Sequence, residues 1–199
     1  MSKLSSKGAE TRARMVAITA RLLQRYGYNG TGLSQIIKES GTPKGSLYFH
    51  FPQGKEQLTT TALLESGQQF AAELRESLTP DISPGDAIEL ACTALAQRMA
   101  ESNYQEGCPL ATVALEASST SEPIRLACAT HFQEWQDLIQ ETLQAKGVER
   151  EEAHEVAVTV LASIEGALLL SRVHLSTAPL EQVGRRIRRF VEQLVDQDR

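Results

Sequence analysis

Apolar residues recur at three- and four-residue steps along most of the chain, with no sustained two-residue alternation and no Asn-Gly or Asp-Gly hairpin signal. The pattern predicts an all-α protein of about nine helices. The first, over residues 10–26, gathers Met15, Ile18, Leu22 and Leu23 on one face and leaves Arg12, Arg14, Arg21 and Arg25 off it to meet phosphates, with Gly27 as the stop. A second, short helix over 33–40 turns Leu33, Ile36 and Ile37 inward; Thr31 is its candidate N-cap, and Gly41 stands where a left-handed C-cap is wanted. A third begins at once, with Thr42 as cap and Pro43 at the first helical position, and carries Lys44 to His50 before Phe51 and Pro52 end it. Two short helices across a tight glycine turn, braced by a longer amphipathic one, make a helix-turn-helix.

Beyond it the punctuation predicts helices over about 55–78, 86–102, 110–118, 122–146, 150–175 and 179–196, with Pro80, Ser83, Pro84, Gly85, Gly107 and Pro109 marking the breaks. The last has an apolar stripe of Leu180, Val183, Ile187, Val191 and Leu194 against Arg185, Arg186, Arg188 and Arg189. Domain organisation follows as 1–54 for the helix-turn-helix with its N-terminal arm, and 55–199 for a larger helical domain.

Charge sharpens this division. Residues 1–60 carry nine Lys and Arg against three Glu, a net of +6, whereas the rest carry eleven against 22 acidic residues, a net of −11. A basic head on an acidic body is the footprint of a polyanion-binding module joined to something that is not one. Lys3 and Lys7, ahead of the first helix, either add non-specific affinity by displacing counterions or belong to a passive tail.

Other classes are disfavoured. Cys92, Cys108 and Cys128 are odd in number and widely spaced, which signals neither a disulfide framework nor a metal site. His50, His131, His154 and His174 with scattered Glu give no triad order, metal spacing or phosphate loop, so no catalytic residue, cofactor or metal is expected. No uninterrupted apolar run approaches bilayer-spanning length, and residues 1–14 are polar and basic, so the expectation is a cytoplasmic protein with no membrane partner.

The stretch 30–58, GTGLSQIIKESGTPKGSLYFHFPQGKEQL, carries the Thr31, Ile36 and Gly41 positions, the core Lys44-Gly45-Ser46-Leu47-Tyr48, then His50-Phe51 and Lys55-Glu56-x-Leu58. It resembles the DNA-binding motif of the tetracycline-repressor (TetR) family. Gly107-Cys108-Pro109-Leu110 followed by Val113-Ala114-Leu115-Glu116-Ala117 is similar to the branch of lincomycin-resistance and flavonoid-responsive repressors.

In a helix-turn-helix only short or flat side chains at the start of the recognition helix reach base edges, which suits Lys44 to guanine O6 and N7, Ser46 to base or phosphate, and Gly45 for close approach. Lys55 and Thr31 sit at helix N-termini, where free N–H groups favour a phosphate. The resemblance implies phosphate contacts from Tyr48 and His50 and adds Ser34, Thr42 and Phe49 to the DNA-facing set. A small aromatic core is the alternative for Tyr48, Phe49 and His50, and packing is the expectation for Phe51 and Leu47.

It also implies a homodimer on double-stranded operator DNA and release by a small-molecule inducer, with the last two helices as the subunit interface through Val156, Val160, Ile164, Leu168 and the final stripe. Arg185, Arg186, Arg188 and Arg189 are then expected in salt bridges at the dimer rim, within reach of Glu181 and Glu192. Phe70, Met99, Tyr104, Phe132, Trp135 and Glu165 are the candidate ligand-binding residues, with His131 and Glu116 as further polar groups, suiting an apolar or aromatic molecule; ordinary core packing is the alternative for each of them singly, since a helical stripe of aromatics looks the same in either role. The alternative is a DNA-binding regulator without an inducer, constitutive or partner-controlled.

Overall fold

A computed structural model describes residues 6–79 and 81–197. Among them are nine α-helices and no strand: α1 (Ser6–Gly30), α2 (Leu33–Ser40), α3 (Lys44–His50), α4 (Lys55–Ser77), α5 (Pro84–Glu101), α6 (Pro109–Ala117), α7 (Glu122–Gln144), α8 (Arg150–His174) and α9 (Ala178–Gln197). Each start and stop has a local cause. Gly27 adopts φ 68°, ψ −172°, so the continuous part of α1 ends where the glycine was expected to end it. Ser83 accepts from the Asp86 N–H and Pro84 opens α5; Cys108 Sγ accepts from the Ala111 N–H and Pro109 opens α6.

Three expectations are corrected here. Lys7 lies within α1, not ahead of it; Lys3 falls outside the described residues, as does Pro80. Gly32, not Thr31, occupies the N-cap of α2, and Pro43, not Thr42, that of α3; neither cap uses a side chain. Pro43 is extended at ψ 142°, which puts it outside α3 instead of at its first position.

Contacts group the described residues into two compact units, one of 6–67 with 108–129 and one of 68–107 with 130–197, so the grouping passes through α4 and α7. In the first, α1 packs on α2, α3 and α6, and Met15, Leu22, Leu23, Ile36, Leu47 and Phe51 are fully buried.

In the second, α5 packs against α9 and α8, and α8 against α9. The α5–α9 approach is close because two glycines stand on it. A Cβ on Gly184 would lie 2.8 Å from Cys92 Cβ, and one on Gly85 would lie 2.9 Å from the Arg188 carbonyl oxygen. Arg188 is paired to Asp86 at 2.7 Å and to Glu89 at 3.0 Å.

This packing corrects the assignment of the apolar seam. Val156, Val160, Leu168, Leu180, Ile187, Val191 and Leu194 are buried within the single chain, because α5 takes the stripe that a second subunit was expected to cover. Arg188 is correspondingly held within the chain, and Arg185 lies 3.9 Å from Glu181 on its own helix. What remains exposed is a different set: Val158, Leu169, Leu170, Val173, Leu175 and Phe190. Helix α8 is long and apolar, but Glu155 and Glu165 interrupt it, so it holds no uninterrupted apolar run of bilayer-spanning length.

Candidate nucleic-acid interface and sensor residues

The turn between α2 and α3 is built by Gly41, whose left-handed backbone (φ 62°) lets its N–H reach the Ile37 and Lys38 carbonyls and close α2. Ser40 Oγ and Thr42 Oγ1 share a hydrogen bond of 2.7 Å in the buried side of that turn. Thr42 is therefore spent on the turn, and Thr31 is fully buried with Oγ1 donating to the Gly27 carbonyl at 2.7 Å. Neither hydroxyl faces a duplex, which corrects their place among the DNA-facing residues. A small polar residue before a helix reads as a cap in sequence whether it points out or in.

Helix α3 is anchored by Leu47, which is wholly buried, and shows its other side to solvent. Lys44 and Gly45 are exposed, Ser46 and His50 half-buried, and no atom comes within 4 Å of a Cβ placed on Gly45. Tyr48 is 50% exposed and Phe49 73%, so the aromatic-core alternative does not hold for these two; Phe51 is the ring that packs inward. Phe49 stacks edge-on to His50 at 5.0 Å. Ser34 is exposed on α2.

Some basic residues of the head are already engaged. Arg21 pairs with Glu39 at 3.1 Å and Arg12 with Glu65 at 3.2 Å, which corrects the expectation that both are left free for phosphates. Gln35, and after it Arg21, hold the Glu39 carboxyl below the usual range against the opposing effect of burial. Lys55 Nζ sits 4.3 Å from the Tyr28 ring centroid. Burial there pushes the Lys55 ammonium down, opposed by the Glu116 carboxylate.

Glu116 was expected among sensor groups but lies in the first unit, at the Gly27 break. Asn29 N–H donates to Glu116 Oε2 at 2.6 Å, and a Cβ on Gly27 would overlap the same carboxylate. Close by in sequence, Ser121 Oγ donates to Glu56 Oε1 at 2.6 Å.

Within the second unit, Phe70, Phe132 and Trp135 come together, with ring centroids 4.6 Å apart for Phe70–Trp135 and 5.6 Å for Phe132–Trp135. One helical turn before Trp135, the His131 Nδ1 pairs with Glu134 at 2.9 Å, and Glu134 with Arg75 at 2.6 Å. Arg75 chiefly, and His131 after it, hold the Glu134 carboxyl below its usual range. His131 Nε2 and Ser171 Oγ are buried without a hydrogen-bond partner among the described residues. Phe70 and Leu74 also line a cleft of about 240 Å³ with Ala91, Ala94 and Leu95, beside the Glu73–Arg98 pair. Met99 is buried on α5, its carbonyl accepting from the Tyr104 N–H at 2.7 Å; Tyr104 and Glu165 are half-buried.

Residues 16–60 match the family described as "Bacterial regulatory proteins, tetR family", and residues 84–186 match "Transcriptional regulator LmrA/YxaF-like, C-terminal domain". Among similar proteins, HTH-type transcriptional regulator LmrA of Bacillus subtilis (strain 168) is 38% identical over 88% of this chain and 93% of its own length. HTH-type transcriptional regulator YxaF of the same organism is 33% identical over 92% and 96%. The chain belongs to the TetR family of transcriptional regulators. A TetR transcriptional regulator from Chloroflexus aurantiacus J-10-FL superposes with a TM-score of 0.80 at 30% identity, covering 94% of this chain and 96% of that one.

The protein is thus a DNA-binding regulator, not an enzyme. The match to residues 16–60 takes in the bracing part of α1, the turn at Gly41, all of α3 and the start of α4. Sequence reasoning missed the setting of Glu116, which lies 87 positions from Asn29 and leaves no local spacing to find it by. It underused His131, whose three-residue step to Glu134 on one helix was a readable signal.

Proposed function

We propose that this TetR-family regulator is a ligand-responsive repressor, binding palindromic operator DNA as a homodimer through residues 1–54 and sensing a small apolar or aromatic molecule through 55–199. In this reading Lys44 addresses guanine O6 and N7, Ser46 a base or phosphate, and Phe49 a thymine methyl; Tyr48, His50, Ser34 and Lys55 meet phosphates, and Gly45 admits close approach. The protein works in the cytoplasm, where its operator is.

The observation that carries the ligand response is His131 Nε2, buried and unpartnered one turn from the Phe70–Trp135–Phe132 cluster. In the neutral tautomer that donates Nδ1–H to the Glu134 carboxylate, Nε2 is an acceptor in the interior. It suits an aromatic molecule bearing a hydroxyl or N–H donor. Helix α4 carries both Lys55 at the start of the sensor and Phe70 in the cluster, so a ligand that prefers one placement of α4 biases the head. Release requires that the ligand bind the DNA-incompetent conformer more tightly than the competent one.

Dimerisation is supported by the exposed apolar residues of α8, above all Leu169 at 61% and Val173 at 67% exposure. Two heads reading half-sites about 34 Å or more apart multiply the affinity of one.

Trp135 is the only tryptophan, and it is 3% exposed in the cluster, so its fluorescence reports on the sensor directly. Titration with a panel of flavonoids and aromatic antibiotics is expected to find a compound that quenches Trp135, raises the thermal midpoint with concentration and dissociates the operator complex. A panel that leaves all three unchanged overturns the inducer reading. Sedimentation of the double variant Leu169→Glu, Val173→Glu is expected to show a monomer where the native chain is a dimer.

A further inference from the structure

The helix-turn-helix is a short insert between two joints, the break at 27–31 where α1 gives way to α2, and the start of α4 at Lys55. Helix α2 follows α1 directly through the first joint, so the geometry there bears on how α2 and α3 are set. There Gly27 takes its left-handed turn, Thr31 Oγ1 donates to the Gly27 carbonyl, and the Asn29 N–H turns away to the Glu116 carboxylate. Glu116 belongs to α6, which packs along α1 in the same compact unit.

Nothing in α6 itself calls for a carboxylate at this place. Glu116 is in the last turn of its own helix, where the backbone dipole disfavours negative charge. Its environment is explained by the joint instead. The carboxylate occupies the space that a Cβ on Gly27 would fill, with one oxygen on the Asn29 N–H at 2.6 Å. Its charge also acts on Lys55, at the other joint. One side chain from α6 therefore addresses both ends of the reading head.

We propose that Glu116 is a positioning residue for operator recognition: by accepting from the Asn29 N–H in the gap left open by Gly27, it fixes how α2 and α3 are set on α1. Lys44 to His50 touch the duplex, and Glu116 acts through them. A hydrogen bond of this length fails with a shift of under an ångström, so α3 depends on where α6 stands.

The experiment uses the full chain and two duplexes: one that the native protein selects from a random pool, and a scrambled duplex of the same length and composition. Glu116→Ala is expected to lose tenfold or more in affinity for the selected duplex while binding the scrambled one within threefold of the native value. Glu116→Gln keeps a neutral oxygen acceptor for Asn29 and is expected to lose less than Glu116→Ala on the selected duplex, while staying within threefold on the scrambled one. A variant that merely unfolds loses active protein and falls on both duplexes in proportion, so the ratio of the two affinities separates misplacement from instability. Glu116→Ala binding the selected duplex as the native chain does, the two affinities falling together, or Glu116→Gln failing as badly as Glu116→Ala would each overturn the assignment.

Discussion

Replacing Gly45 by alanine should make the protein more stable and a poorer binder of its operator. Gly45 lies inside α3 with ordinary helical φ, since it is absent from the glycines of positive φ, and an added Cβ meets no atom within 4 Å. Alanine is favoured over glycine by about 1 kcal/mol in a helix interior and by less in the first turn, where Gly45 lies, so the thermal midpoint should rise by at most about 2–4 °C. In the docking proposed above, the same methyl stands between α3 and the base edges. It holds the backbone off by up to about 1.5 Å, one carbon–carbon bond. Contacts made near 2.9 Å no longer qualify as hydrogen bonds once stretched past about 3.5 Å. Loss of one bidentate base contact costs about 1–3 kcal/mol, and it is lost in each half-site. Calorimetric melting and fluorescence anisotropy on one preparation test both signs. Native operator affinity in a stabilised Gly45→Ala variant would show that α3 does not approach the bases over Gly45; a lower midpoint would show that the site is not open.

At the α5–α9 crossing the opposite sign is expected. Gly184→Val forces a Cβ to 2.8 Å from Cys92 Cβ with the Glu89 backbone behind it, so overpacking should lower the urea-unfolding free energy by about 1–3 kcal/mol. Burial pushes the Cys92 and Cys128 thiols up to about 11 from an ordinary 9.0, with Glu89 adding to the effect at Cys92. Both should resist iodoacetamide at pH 8 in the native protein and react when it is denatured. Their contribution to stability is complete below pH 9 and is lost as pH rises towards 11, because the unfolded thiols ionise first. A denaturation midpoint that rises over that window would contradict the burial.

The elements of the head were legible because their causes are local. Gly41 ends α2 by its own backbone, and the span 33–40 follows from the apolar period and that glycine together. Orientation was less legible. Thr31 and Thr42 have the composition of caps, yet both turn inward to satisfy groups within two to four residues, Gly27 O and Ser40 Oγ. The stripe of α9 shows the same limit on a larger scale. Periodicity identifies the face to be covered and says nothing of what covers it, so α5 and a second subunit were indistinguishable until Gly184 and Gly85 were seen to admit α5. In the second unit, Phe70 and Trp135 were readable as large side chains, but their meeting depends on α4 and α7, which are far apart in sequence.

Charge divides the chain near residue 60, whereas contacts return 108–129 to the unit that holds the reading head. The ligand response proposed above would use such a return. To lower operator affinity a hundredfold, an inducer must distinguish the two conformers by about 2.7 kcal/mol. Hydrogen bonds to a charged group contribute about 1.5–3 kcal/mol each. The Asn29–Glu116 bond is one of these, and it joins α6 to the joint that sets α3. A response of ordinary size therefore does not require α3 to be remodelled or the core around Leu47 to be disturbed. It requires only that one conformer keep a single charged contact at the base of the head and the other lose it.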